Sequence, residues 1–167
     1  MRRLALPLAF LVVFGGMLVR DTVRKAGGDD PSSASVGRVV RVVDGDTIRV
    51  ELDGHEERVR YIGIDTPESV KPGTPVQCFA KKAAAFNEHL VGGRRVKLVR
   101  DVEQRDRYGR LLAYVYPADG GPMVNETLVA RGYARTLTIP PDVRFADRFR
   151  RLAAGAREAG RGLWRAC

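Results

Sequence analysis

Two short acidic turns are the first candidates for chemistry in this sequence. The first, DGDT, contains Asp44 and Asp46, and the second, DTPE, contains Asp65, Thr66 and Glu68. Proline in the second turn restricts its own φ and the conformation of the preceding residue, so the spacing of the two flanking carboxylates is partly preset. Clustered carboxylates repel one another unless a proton or a cation neutralises them. Because neither turn has a neighbouring His or Cys, the all-oxygen donor set predicts a hard cation, calcium or magnesium.

Arginines near these turns indicate an anionic substrate. Arg60 lies shortly before the second turn, and the motif DRYGR ends at Arg110. The planar guanidinium donates paired hydrogen bonds to phosphate. A cation and two arginines would neutralise charge on a phosphate, while a spare carboxylate orients or deprotonates an attacking water. The residues therefore predict a phosphodiesterase site, with solvated surface arginines as the alternative interpretation.

Five extended segments must position these residues. Each alternates apolar and polar positions or ends in a turn signal, as strands do. They are VGRVVRVVDG, DTIRVEL, HEERVRYIGI, RRVKLVRDV and GRLLAYVYP. The third is expected to run antiparallel to the second, so that the acidic turns converge on one end of a barrel.

Three helices are predicted as well. The first begins near Cys78 and ends at Gly92-Gly93, the second is the short MVNETLVARG, and the third follows Asp142 as its N-cap. Apolar stripes mark the first and third helices: Phe79, Ala83, Phe86 and Leu90, then Phe145, Phe149, Leu152 and Ala156. The expected fold class is α+β, a five-stranded OB-fold barrel with three α-helices, preceded by an N-terminal apolar helix.

The charge balance indicates a polyanionic partner. The chain of 167 residues has 29 Lys+Arg against 20 Asp+Glu, and a hydrophobic fraction of 44% is enough for a core. Residues 1–36 hold five of the basic and three of the acidic residues, so the remainder keeps a net charge of +7. A basic domain attracts nucleic acid, although a merely soluble basic surface is the alternative.

The N-terminal region differs from the rest of the chain. Residues 4–19 contain no charged side chain, which favours an uncleaved membrane anchor or a signal peptide within residues 1–25, with a buried core helix as a third reading. The Gly/Ser/Asp-rich residues 26–36 are predicted to be a flexible linker, and residues 37–167 the folded domain. The protein is thus expected to be exported, either membrane-anchored and facing outside or secreted.

The chain contains two cysteines, Cys78 and Cys167. An even cysteine count in an exported chain predicts a disulfide between them. Two free thiols are the alternative.

Four motifs in order resemble the staphylococcal-nuclease-like (thermonuclease) family. They are VVDGDTIRV, VRYIGIDTPES, DRYGRLLAYVY and MVNETLVARGYA, and the resemblance covers roughly residues 36–164. It implies a five-stranded OB barrel with three helices. It also implies a calcium-dependent phosphodiesterase that cuts DNA and RNA and leaves 3′-phosphate ends.

The resemblance also assigns roles to individual residues. Asp46 and Asp65 resemble the calcium-binding carboxylates, and Thr66 the residue that lends its backbone carbonyl. Glu68 resembles the group that positions or activates the water. Arg60 and Arg110 resemble the pair of arginines that binds the phosphate. Arg107 and Tyr108 resemble residues beside the terminal phosphate of a bound nucleotide.

One departure from the family concerns the nucleotide border. The archetype carries tyrosines after the fourth motif, whereas residues 136–141 here are TLTIPP. Two other classes of function stay open from the residues alone: a non-catalytic nucleic-acid-binding OB module tethered to the membrane, and a tethered scaffold for protein contacts. The protein is expected to act as a monomer on DNA and RNA, in contact with the membrane if its N-terminus is uncleaved.

Overall fold

Five strands close into a barrel in the part of the chain that the computed structural model describes, residues 34–69, 73 and 75–167. In barrel order they are β1 (Ala34–Val42), β2 (Thr47–Leu52), β3 (His55–Tyr61), β6 (Leu111–Pro117) and β5 (Arg95–Val99), with β5 pairing back onto β1. All neighbours are antiparallel except β3 and β6, which are parallel. The predicted α+β fold with a five-stranded OB barrel is confirmed.

The hairpin between β2 and β3 sets the register on which the site depends. Asp53 and Gly54 both have positive φ, 49° and 81°, the conformation that a two-residue hairpin turn needs and that Asp-Gly favours. The turn pairs Leu52 with His55, and the same register carries through to Thr47 opposite Arg60. A one-residue slip would turn every side chain of the strand to the other face.

Alternating residues of the strands fill the barrel interior, as their pattern predicted. Ile48, Val50, Val59, Leu98 and Val115 are all buried in one continuous core. Removal of this apolar surface from water is the main favourable contribution to folding. The core therefore holds the strand ends, and the polar residues on them, in place.

Four helices and two further short strands surround the barrel in the described residues. They are α1 (Ala80–Val91), α2 (Val124–Ala130), α3 (Ala146–Glu158), α4 (Leu163–Ala166), β4 (Ile64–Asp65) and β7 (Arg135–Thr136). The three predicted helices correspond to α1, α2 and α3. Segments of two or four residues, such as β4, β7 and α4, are too short to show a period and were missed for that reason.

The predicted role of Asp142 as a helix N-cap is wrong. Helix α3 begins four residues later, and its N-cap, Phe145, makes no side-chain capping hydrogen bond. Instead, Oδ1 of Asp142 accepts hydrogen bonds from the amides of Val102 and Glu103, each at 2.9 Å. The side chain thus provides the hydrogen-bond acceptor for two backbone amides of the loop after β5. These amides are about 40 residues away in sequence, so local sequence does not reveal the contact.

The predicted disulfide is present between Cys78 and Cys167, whose Cα atoms are 6.0 Å apart across 89 residues of chain. It ties the segment before α1 to the chain end after α4. A crosslink over a loop of this length stabilises the fold by about 4–5 kcal/mol in the chain-entropy account.

The predicted anchor or signal peptide, residues 1–25, lies outside the described residues. So does most of the predicted linker, whose last three residues, 34–36, belong to β1. Within the described residues, no helix has the length and apolar character needed to cross a bilayer.

Candidate active site

The first acidic turn lies beside β3 at one end of the barrel. Asp46 directly precedes β2, and its carbonyl accepts a hydrogen bond from the amide of Tyr61 at 2.9 Å. Since Thr47 pairs with Arg60 across the strands, the Arg60 side chain emerges next to the Asp46 carboxylate. Strand pairing thus brings together two predicted site residues that are 14 positions apart in sequence.

The guanidinium of Arg60 bridges the two acidic turns. Nη1 lies 3.0 Å from Oδ1 of Asp46, and Nη2 lies 3.0 Å from Oδ1 of Asp65. Nη1 also donates to the carbonyl of Ile64 at 3.0 Å. The Arg60 and Asp46 side chains are only 13% and 7% exposed, so each charge depends on the other, because an unpaired buried charge is strongly destabilising.

Thr66 fastens the second turn to the first. Its amide and its hydroxyl both donate to Oδ2 of Asp46, at 2.7 and 2.9 Å. Gly45 permits this approach, since a Cβ there would lie 2.7 Å from Oγ1 of Thr66. The missing side chain of Gly45 therefore leaves the space in which Thr66 reaches Asp46.

Carboxylate repulsion remains inside this cluster. Burial, and then the neighbouring Asp46 charge, raises the pKa of Asp44 to about 6. The same two causes raise the pKa of Asp65, against the opposing charge of Arg60. An additional cation would relieve this repulsion.

A second cluster is built on the DRYGR turn before β6. Asp106 Oδ2 accepts from Nε of Arg110 at 2.6 Å and pairs with Nη2 at the same distance. Burial tends to raise the pKa of Asp106, but the hydrogen bonds donated by the Arg110 amide and guanidinium outweigh it and lower the pKa. Tyr108, 65% exposed, lies beneath the guanidinium groups of Arg107 and Arg110, 4.8 and 5.4 Å from its ring centre.

A pocket of about 440 Å³ is lined by Arg60 and by Arg107, Tyr108 and Arg110 of the DRYGR turn. Leu137 and Ile139, from the segment that follows the fourth motif, also line it. None of the residues Asp44, Asp46, Asp65 and Glu68 belongs to its lining. The pocket combines three cationic side chains with apolar surface, which suits an anion joined to a flat apolar group.

Glu68 lies on the second acidic turn, two residues after Thr66, and is half-buried. Its amide donates to Oε1 of Gln77 at 2.9 Å, and its carbonyl accepts from the Gln77 amide at 2.9 Å. The short segment between the barrel and α1 thus carries three of the predicted site residues: Asp65, Thr66 and Glu68.

The donor chemistry fits a hard cation only with help from other oxygens. Among residues 34–69, 73 and 75–167, no three His, Cys, Asp or Glu side chains form a metal-binding group. Asp46 and Asp65 nevertheless lie close enough to share the Arg60 guanidinium, each with one carboxylate oxygen 3.0 Å from it. Two carboxylates with carbonyl, water or phosphate oxygens make a set that calcium accepts.

Two residues that hold the site were missed by sequence reasoning. Asn87 of α1 accepts from the hydroxyl of Tyr61 at 3.0 Å and donates to the carbonyl of Asp44 at 3.0 Å. Gln77 is the other. An Asn on an otherwise apolar helix face was the available signal, and its partners lie 26 and 43 residues away.

The barrel and the site at its end define an OB-fold protein equipped to bind a phosphate-bearing ligand. The family described as Staphylococcal nuclease homologue matches residues 58–166. The thermonuclease of Staphylococcus hyicus is 39% identical over 140 residues, which cover 84% of this chain and 82% of that protein. The thermonuclease of Staphylococcus intermedius is 43% identical over 126 residues, 75% and 74% of the two chains. Endonuclease YncB of Bacillus subtilis strain 168 is 38% identical over 150 residues, 86% and 69%.

The chain belongs to the staphylococcal nuclease family, as its four motifs predicted.

The hydrogen bonds of Asn87 yield a prediction about stability. Asn87→Ala should lower the free energy of unfolding by about 2–4 kcal/mol, because it leaves a buried hydroxyl and a backbone carbonyl without partners. Urea denaturation followed by circular dichroism measures the change. In a Tyr61→Phe background the same substitution should cost less, since one of the two stranded groups is gone. An equal cost in both backgrounds would contradict this account.

Proposed function

We propose that this protein is a calcium-dependent nuclease that hydrolyses the phosphodiester bonds of DNA and RNA and leaves 3′-phosphate ends. Membership of the staphylococcal nuclease family makes the chain a nuclease. The single observation that best supports the finer proposal is the Arg60 bridge between Asp46 and Asp65. It joins an arginine of the pocket to the two carboxylates assigned to the metal.

The proposed reaction is attack of water on phosphorus with departure of the 5′ oxygen. Glu68 takes a proton from the water as the oxygen–phosphorus bond forms, and the phosphorus–O5′ bond then breaks. The departing O5′ takes a proton from solvent water, the proton held by Glu68 returns to solvent, and the phosphate stays on the 3′ side. Donors aimed at charge that develops in the transition state contribute most to such a reaction.

Arg60 and Arg110 are proposed to bind the two sides of the phosphate. Both line the same pocket, and Asp106 holds the guanidinium of Arg110 in a fixed orientation. Arg110 also stabilises the leaving oxygen. Arg107 and Tyr108, stacked beside it, are proposed to border a terminal phosphate of the nucleotide.

Calcium held by Asp46, Asp65 and the Thr66 carbonyl would supply charge neutralisation at the phosphate. The residues of the chain that bind it also keep the acidic turns together, because Thr66 donates two hydrogen bonds to Asp46. The domain is proposed to act as a monomer.

Metal dependence tests the calcium proposal. Calcium should support DNA cleavage, and an excess of chelator should abolish it. Magnesium should serve poorly because it is smaller and demands near-octahedral geometry. The measurement is the initial cleavage rate at equal concentrations of each ion, and equal rates in magnesium and calcium would count against the site.

Substitution separates chemistry from binding. Glu68→Gln keeps the size of the side chain and removes its charge, so single-turnover cleavage should fall by about 10²–10⁴-fold. Arg110→Ala should also reduce the rate far more than DNA affinity, because a useful catalytic contact is stronger in the transition state.

Matched controls lie on the exposed face of α3. Glu158→Gln and Arg151→Ala make the same chemical changes away from the pocket and should cleave like the parent. If Glu68→Gln cuts as fast as the parent, or the parent binds DNA in calcium without cutting, the proposed mechanism fails.

The protein is further proposed to act outside the cytoplasm, anchored to the membrane or secreted. The uncharged run at residues 4–19 and the disulfide support this location, since disulfides persist in oxidising compartments. Nuclease activity should be recovered with the membranes and be open to protease added outside the cells, or be found in the medium. Recovery from the soluble interior with both thiols free would contradict it.

A further inference from the structure

Gln77 grips the backbone of Glu68 from both sides. The amide of Glu68 donates to the Gln77 side chain, and the carbonyl of Glu68 accepts from the Gln77 amide, each at 2.9 Å. These two bonds bracket the Cα that carries the carboxylate. They therefore constrain the direction in which the side chain of Glu68 leaves the chain.

The preceding residues hold Glu68 from the other end. Thr66 is fastened to Asp46 by two hydrogen bonds. Pro67, between them, has a fixed φ and no amide hydrogen. The backbone of Glu68 is thus held on one side by the hydrogen bonds between Thr66 and Asp46 and on the other side by Gln77.

Gln77 is itself held by the disulfide and by α1. Its carbonyl accepts from the amide of Ala80 at 3.1 Å, at the start of the helix. The next residue, Cys78, is bonded to Cys167, directly after α4. Helix α4 is in turn fixed to the body of the protein by Leu163, which is buried and donates its amide to the carbonyl of Gly132 at 2.8 Å.

The backbone conformation of Phe79, between Cys78 and α1, shows that the chain is constrained next to Gln77. Phe79 has a φ of 71°, a left-handed conformation that is unfavourable for a bulky side chain and persists only where the surroundings impose it. Its ring packs 5.3 Å from the ring of Tyr133. The disulfide and this ring contact together set the path of the chain past Gln77.

We propose that Gln77, held by the adjoining Cys78–Cys167 disulfide, is a positioning residue that orients Glu68. The inference rests on the proposed role of Glu68 in activating water. Gln77 touches no reacting atom and acts only through the Glu68 backbone. A shift of about 1 Å in a catalytic group is enough to cost up to about 10²-fold in rate.

The test uses the full chain and a matched pair of variants. Gln77→Met keeps the length of the side chain and removes the acceptor, whereas Gln77→Glu retains an acceptor oxygen. Gln77→Met should lower single-turnover cleavage in calcium by about 10-fold with DNA affinity unchanged, and Gln77→Glu should recover most of the rate. In a Glu68→Gln background Gln77→Met should have no further effect, because the group that it positions is already lost.

A readout independent of activity keeps this proposal separate from the proposed function. Amide hydrogen exchange by NMR should be faster at Glu68 in Gln77→Met than in the parent. Unchanged exchange at Glu68, or faster exchange with an unchanged cleavage rate, would overturn the positioning role. A parent that does not cut, with exchange behaving as expected, would refute the nuclease mechanism and leave Gln77 as a structural anchor of the Glu68 backbone.

The disulfide is tested by reduction and alkylation of the parent. Both cysteines are exposed, so a reductant reaches them in the folded protein. Cleavage should slow and exchange at Glu68 should rise while circular dichroism shows the fold intact. A Cys78→Ser/Cys167→Ser variant should give the same cleavage rate with and without reductant. A parent that keeps its full rate with both thiols alkylated would refute the part assigned to the disulfide.

Discussion

The buried guanidinium of Arg60 is the interaction on which the site depends. It lies between Asp46, which is almost fully buried, and Asp65, which is not. Loss of one partner from a buried pair costs about 3–5 kcal/mol because the other charge is left without compensation. The barrel end is therefore built around opposed charges that constrain one another, and Thr66 joins this centre through its hydrogen bonds to Asp46.

The buried charges are tolerated because separate elements of the fold supply the remaining hydrogen bonds to this cluster. Thr66 satisfies the second oxygen of Asp46, and Asn87 reaches from α1 to the backbone of the first turn. Asp106 performs the corresponding task for Arg110. Buried polar networks are stabilising only when each member finds a partner, and here the partners come from the barrel, a helix and a loop.

Charge of both signs is needed for the proposed reaction, and the site brings the two into contact, since Arg60 pairs with Asp46 and Asp65. The overall excess of 29 Lys+Arg over 20 Asp+Glu attracts a polyanion. The carboxylates are gathered at two turns, where burial and mutual repulsion raise the pKa of Asp44 and of Asp65. A basic excess over the whole chain, together with carboxylates gathered at these turns, suits a protein proposed to bind both a phosphate chain and a cation.

The sequence by itself determined the five barrel strands, the three longer helices and the family, because alternation, helical stripes, turn residues and short motifs are local signals. It predicted the disulfide from the even cysteine count and left two free thiols as the alternative; the structure decided for the bond. The sequence also marked Arg60, Arg110 and the acidic residues as candidates. Only the tertiary structure decided that one guanidinium bridges Asp46 and Asp65, that Asn87 and Gln77 hold the site, and that Asp142 binds a loop instead of capping a helix. The physical reason is that each of these contacts joins groups from different elements, and a side chain's partner across such a distance is set by packing and register, which no short stretch of sequence encodes.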